Sequence, residues 1–254
     1  MNKAEPPITK DYLTIVALED DLTAKLSVNA CEYCVDGDGV WKTLPANTET
    51  ESINSGQTLS FRGNLTPTSS VGIGTFVVNK QFNLKGNCMS LLFGDDTKDC
   101  FSLEGKNYAF YTLFAKTKVV DASELQLSAI ILPRDCYSYM FSECGNLICP
   151  PNLQEPNNAP TSAYAGMFFN CTGLQVAPIL LAKSIGWGGY NYMFANCSKL
   201  NYIKALFTTT PGDNYTLNWL KGVAPSGVFV KSKDANWDVR GVSGVPEGWT
   251  IIKE

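Results

Sequence analysis

The chain has 254 residues, 44% hydrophobic and 17% charged, with a formal net charge of −4. That length suits one large domain or two modest ones with a sizeable core, and an acidic chain with no basic stripe argues against a nucleic-acid surface. The chain has no histidine, which removes the commonest general base, the commonest zinc ligand and the usual partner of a serine or cysteine nucleophile.

Residues 1–10 carry Pro6 and Pro7 and no apolar run, so they read as a flexible tail rather than a signal peptide. No later stretch reaches the roughly 18–20 apolar residues of a membrane span. Residues 11–84 read as a small antiparallel β-sandwich. Its strands are expected at 12–18, 22–28, 32–35, 40–44, 58–63 and 74–78, separated by Gly, Asn, Pro and Ser. Asp36-Gly37-Asp38-Gly39 between two β-prone runs marks a hairpin, and its acids read as turn chemistry rather than a calcium loop. Cys31-x-x-Cys34 is half a zinc site with no matching second half, and on a strand its two side chains point to opposite faces. Gly72-x-Gly74 lacks the third glycine of a dinucleotide loop. Asp95, Asp96 and Asp99 form the carboxylate cluster to weigh for acid–base work, but beside Lys98 they read as a solvated turn.

Residues 85–207 are dominated by a repeat. Tyr137-x-x-Met140-Phe141-x-x-Cys144-x-x-Leu147 returns as Tyr164-x-x-Met167-Phe168-x-x-Cys171-x-x-Leu174 and as Tyr190-x-x-Met193-Phe194-x-x-Cys197-x-x-Leu200, at periods of 27 and 26. A weaker copy precedes them at Phe110-x-x-Leu113-Phe114-x-x-Thr117, and a fainter trace lies at Leu91-Leu92-Phe93. Such periods mean stacked units, each unable to bury its apolar face alone. The i, i+3, i+4, i+7 spacing predicts a short α or 3₁₀ piece in each copy, followed by a turn and a short strand. Leu174 with Val176, and Leu200 with Tyr202, would alternate toward the core in those strands, and Pro150, Pro151 and Pro178 would limit their length. Cys144, Cys171 and Cys197 share one repeat position and are expected as a ladder of buried free thiols. Cys171→Ser should then cost about 1–3 kcal/mol if no partner meets the hydroxyl. The sequons at Asn170 and Asn196 fall inside the motif and read as repeat packing, beside two others at Asn64 and Asn214.

Residues 208–254 read as a C-terminal cap, with a closing strand at 227–231 and Trp237 and Trp249 covering the last open core. The whole is therefore expected to be an α+β chain: a β-sandwich, a leucine-rich-repeat solenoid and a cap.

The Met-Phe-x-x-Cys-x-x-Leu strings at Met140, Met167 and Met193, with Pro150 and Pro178 after the first two, resemble the BspA-like leucine-rich repeats of bacterial surface proteins. The closing Gly244-Val245-Pro246-Glu247-Gly248-Trp249-Thr250 looks like an ending common in that family. The resemblance covers about two-thirds of the chain and implies non-catalytic adhesion to a host or partner protein or glycan, outside the cell or at its surface. It supplies no catalytic residue, cofactor or metal. Trp187, Tyr192 and Tyr202 are the candidate contacts, Trp187 first because it lies in the loop Gly186-Trp187-Gly188-Gly189. The alternative is a structural or receptor-binding component of a phage or prophage particle.

Overall fold

The computed structural model describes residues 11–97, 100–156 and 158–254; the expected tail over residues 1–10 and Asp99 of the acidic cluster lie outside the described residues. The first part is built by strand alternation. Strands β1 (Leu13–Ala17), β2 (Ala24–Leu26), β3 (Cys31–Val35), β4 (Lys42–Leu44), β5 (Thr58–Arg62), β6 (Phe76–Val78) and β7 (Phe82–Asn87) follow in order. Helix α1 (Ser90–Phe93) and strand β8 (Val119–Gln126) come next. One six-stranded sheet runs β4-β3-β5-β1-β7-β8, and β2 pairs with β6 in a second, smaller sheet. On β5, Leu59 and Phe61 are buried while Thr58, Ser60 and Arg62 face outward, the period-2 pattern of a sheet with one core face. Phe61 meets Phe76 of β6 edge to face, with ring centroids 4.9 Å apart.

The hairpin expected at Asp36-Gly37 joins β3 to β4, and both turn residues have positive φ, as a type I′ turn requires. The Asp36 carboxylate accepts the Thr58 N–H at 2.7 Å and so ties the turn to β5. Asp38 accepts the Val40 N–H and the Cys34 thiol, again turn chemistry. Strand β7 runs through residue 84 and pairs in parallel with β8, which comes from the repeat region. The apolar core is accordingly continuous from Leu13 to Trp249.

The repeats overturn the expected helices. The described residues hold only two helices of four residues each, α1 and α2 (Asp213–Thr216). Each motif is instead a run of consecutive β-turns. Tyr137-x-x-Met140 is one turn, closed by the Met140 N–H on the Tyr137 carbonyl at 3.2 Å. Phe141-x-x-Cys144 is the next, closed by the Cys144 N–H on the Phe141 carbonyl at 3.2 Å. The same pairs close at Tyr164–Met167 and Phe168–Cys171, and at Tyr190–Met193 and Phe194–Cys197. The alternate N–H groups bond across to the next copy: Tyr137 to Ala163, Tyr139 to Ala165, Phe141 to Met167 and Glu143 to Phe169, all at 2.7–2.9 Å. First and fourth residues of each turn point inward; of the central residues Glu143 and Asn196 are exposed, whereas Ser138, Ala165 and Ala195 are buried. A four-residue turn repeat puts i, i+3, i+4 and i+7 on one face, as a helix does, and over eight residues the two periods cannot be told apart by pattern.

These tiers stack their rings in two columns. Phe110, Tyr137, Tyr164 and Tyr190 follow one another at 5.7 Å between centroids. Phe76, Phe114, Phe141, Phe168 and Phe194 follow at 5.5–5.7 Å. Phe76 therefore belongs to both systems and links the sheets to the tiers.

The leucine-rich-repeat solenoid is also overturned, because among the described residues no single parallel sheet runs along the repeats. The molecule is a multi-sheet, β-rich fold. After the first two motif copies the strand segments make only isolated bridges, such as Asp121 with Cys149 and Val176 with Tyr202. Prolines follow both copies and cannot donate to a ladder. No proline follows the third copy, and there the chain forms β11 (Tyr202–Ala205). It pairs in parallel with β12 (Gly227–Lys231), which pairs with β13 (Trp249–Lys253). The strands β9 (Asn158–Ala159) and β10 (Ser184–Ile185) form a separate parallel pair. The expected alternation also fails in detail: Leu174 and Leu200 are buried, but Val176 and Tyr202 face out, and Ile203 takes the inward place. Each leucine closes a turn, so the strand begins after it with a new phase.

At the far end Trp219, Trp237 and Trp249 are all buried. Phe207 stacks on Trp237 at 5.5 Å and meets Trp219 edge to face at 5.8 Å. Sequence reading anticipated Trp237 and Trp249 as covers and missed Trp219, whose indole N–H donates to the Gly244 carbonyl at 2.8 Å. Lys231 is fully buried on β12, with its ammonium on the Trp237 carbonyl and the Asp238 carboxylate.

Candidate functional site

The turn tiers dictate what the repeat region presents outward. Of the two central residues of a turn, the second lies in the left-handed region in every turn that begins with an inward aromatic or its upstream equivalent. The series is Tyr108, Thr112, Lys116; Asp135, Tyr139, Glu143; Ser162, Gly166, Asn170; and Gly188, Tyr192, Asn196, with φ between 52° and 66°. Only glycine adopts that conformation freely, and asparagine and aspartate tolerate it best among the rest. Asn170 and Asn196, the sequon asparagines of the motif, therefore sit where backbone conformation favours them.

Trp187 is the second residue of the turn Gly186–Gly189 and is 64% exposed. Its backbone is fixed on three sides. The Gly186 N–H donates to Ala159 at 2.7 Å, the Trp187 carbonyl accepts from Ser162 at 2.9 Å, and the Gly188 N–H donates to Asn214 at 2.6 Å. Gly186 and Gly189 occupy the inward places of this turn, where a Cβ would press on the Ala159 carbonyl. The loop is thus a closed turn of the stack that holds an indole out into solvent.

Tyr192 lies one turn further along the same ribbon, half-buried, with φ 58°. Two tiers earlier, Tyr139 leans over Gly166, where any Cβ would overlap its ring. Tyr139 meets Tyr111 at 6.2 Å, and burial and the neighbouring Tyr111 and Tyr192 hydroxyls raise its pKa. The structure thus puts Trp187 and Tyr192 on one ribbon of turns. Tyr202 stands apart from them on β11, where Val176, Tyr202 and Val228 line up across neighbouring strands.

The repeat cysteines are not a chemical site. Each thiol donates to the carbonyl of the phenylalanine one tier earlier: Cys144 to Phe114 at 3.1 Å, Cys171 to Phe141 at 3.0 Å and Cys197 to Phe168 at 3.0 Å. Burial pushes the Cys144 thiol up to about 11 and the Cys197 thiol to about 12. Such groups stay protonated and unreactive at neutral pH. Thr117 stands at the same place in the first tier and gives its hydroxyl to the Phe114 carbonyl at 2.8 Å.

A second cluster lies on the outer face of the six-stranded sheet. Arg62 on β5 donates through Nε to Glu32 on β3 at 2.8 Å and through NH1 to Asp95 at 2.9 Å. Its guanidinium lies over the Trp41 ring at 4.1 Å, and Tyr12 meets Trp41 at 4.7 Å while its hydroxyl donates to Asp95 at 2.8 Å. Asp95 and Asp96 from the acidic cluster border a depression there of about 310 Å³, together with Glu32 and Asn64. No spacing along the chain links Arg62 to these acids, since the partners come from three separate segments.

Among the described residues no group of His, Cys, Asp and Glu side chains is arranged to hold a metal ion. No helix among them is long and apolar enough to cross a membrane. No family model, curated protein or solved structure matches the chain.

Proposed function

We propose that the chain is a non-catalytic recognition protein. In this reading it binds a partner protein or glycan at a cell surface through side chains presented by the outward positions of the repeat turns. The observation that carries the reading is Trp187: a large apolar ring held in solvent by a turn whose backbone is hydrogen-bonded on both sides. Tryptophan is costly to expose and is among the residues that dominate binding interfaces. Tyr192 on the same ribbon extends the contact surface, and Tyr202 with Val176 offers a second one on the strand side. The likeness of the motif strings to BspA-like surface proteins supports the same reading.

The test is a binding screen of the intact chain against host glycoproteins and extracellular-matrix proteins, repeated with Trp187→Ala. The expected result is capture of at least one partner, weakened at least tenfold by the substitution, or about 1.4 kcal/mol, with unchanged thermal melting. A partner held equally well by the variant, or no partner at all, would overturn it.

A further inference from the structure

The outer face of the six-stranded sheet holds a cleft that the repeat surface does not touch. We infer that the depression between Arg62, Glu32, Asn64 and Asp96 is a binding site for a neutral carbohydrate. It is separate from the Trp187 surface and stands or falls independently of it.

Three features support this. The first is size. At about 310 Å³ the cleft lies at the lower end of the range for small-molecule sites, room for a sugar ring rather than a long ligand. Gly94, at φ 58°, borders it without a side chain to fill it. The second is the mixture of groups. A sugar hydroxyl both donates and accepts, so neighbouring hydroxyls need donors and acceptors side by side. Arg62 has five N–H donors, and two of them are given to Glu32 and Asp95, so the fork is held rigid with donors to spare. Asn64 and Asp96 are exposed and line the cleft, and no hydrogen bond joins their side chains to another described residue. The lining is otherwise polar: the half-buried Phe93 borders it and carries the Lys106 ammonium 5.0 Å from its ring centroid.

The third feature is charge. Glu32 and Asp95 are each paired with the guanidinium, so a divalent cation would meet one unpaired carboxylate and an arginine charge, too few oxygens for calcium or magnesium. An anion would face three carboxylates around a guanidinium already committed to two of them. Both kinds of ion are disfavoured, and a neutral polyhydroxyl ligand is not. Trp41 and Tyr12 act behind this surface as positioning residues. The indole supports the guanidinium from one side, and the Tyr12 hydroxyl fixes Asp95.

Saturation-transfer difference NMR on the full chain tests the site, with the methyl glycosides of glucose, galactose, mannose and N-acetylglucosamine at millimolar concentration. At least one glycoside should give a signal. Asn64→Ala and Asp96→Ala should each weaken its apparent affinity at least fivefold without changing the melting temperature, because neither side chain holds the fold together. Trp187→Ala should leave the signal as it was. The inference is overturned if no glycoside gives a signal, or if both cleft variants retain it in full. It is equally overturned if Trp187→Ala abolishes the signal, or if calcium or magnesium alone binds in an Asp96-dependent way while no glycoside does.

Discussion

The six-stranded sheet and the turn tiers bury the same kinds of side chain by different backbone rules. In the sheet every second residue faces the core, and an outward residue such as Ser60 sits in ordinary extended backbone. In the tiers the first and fourth residues of each turn face in, and the third must turn left-handed. Non-glycine residues there cost about 1–2 kcal/mol each, so the tiers carry strain that the sheet does not. The stacked rings and the bonds between tiers must offset it. Outward positions in the sheet are therefore open to functional choice, as the Arg62 cluster illustrates. Outward positions in the tiers are already half determined by φ. Trp187 fits that division: it takes the unconstrained place of its turn, and a glycine takes the left-handed one.

The largest expected effect comes from breaking the ring column. Phe168 is fully buried between Phe141 and Phe194, at 5.7 and 5.6 Å with nearly parallel planes. Phe168→Ala should cost about 3–5 kcal/mol, measured by chemical denaturation. Because one core joins tiers and sheets through Phe76, a single cooperative transition should shift to lower denaturant. Two separated transitions would mean that sheet and tiers unfold as independent units, and the comparison would then be one between domains.

A glycine scan should give opposite signs in the two regions. Glu143 is exposed at φ 62°, and its ion pair with Lys116 is a loose 3.6 Å surface contact. Glu143→Gly relieves the left-handed strain, gives back about 0.5–1 kcal/mol in chain entropy, and loses little else. Net stabilisation of about 0.5–1 kcal/mol is expected. Thr43→Gly on the exposed face of β4 should instead destabilise by about 0.5–1 kcal/mol. Equal signs at the two positions, read from melting curves, would remove the distinction between the backbones.

Much of the sheet was legible because its strands alternate and its hairpin carries Asp-Gly. The strand β7 escaped because the sandwich was expected to end at residue 84, yet Gly86 is needed in a strand that passes against the Tyr12 carbonyl. The tiers were legible as a repeat and as an inward-facing set, down to the residues of the ring columns. Their conformation was not, since a four-residue turn period and a helix leave the same mark on eight residues. A sharper signal was present: Gly166, Asn170, Gly188 and Asn196 recur at the outward third place, an enrichment a helix has no use for. Trp187 and Tyr192 could be picked out as candidates, and the turn explains why they share a ribbon. Glu32 and Arg62 are brought together by strand order and Asp95 by the turn after α1, which no spacing along the chain encodes.

The finest distinction, a difference of about 1 kcal/mol between two variants of one residue, tests how the tiers satisfy their carbonyls. The Phe141 carbonyl accepts the Cys144 N–H that closes its own turn and, from the next tier, the Cys171 thiol. The expected cost of about 1–3 kcal/mol for Cys171→Ser presumed a hydroxyl with no partner. A carbonyl at 3.0 Å supplies that partner, and Thr117 shows that the position accepts a hydroxyl, although it bonds the Phe114 carbonyl of its own turn rather than one of an earlier tier. Cys171→Ser should therefore cost only about 0.5–1 kcal/mol, whereas Cys171→Ala, which loses both the donor and the sulfur's volume, should cost about 1–2 kcal/mol. Melting curves of the two variants decide between the roles. Serine better tolerated than alanine means that the position serves the bond between tiers. The reverse order means that it serves only the apolar packing, and that the second lone pair of each phenylalanine carbonyl contributes nothing to holding one tier on the next.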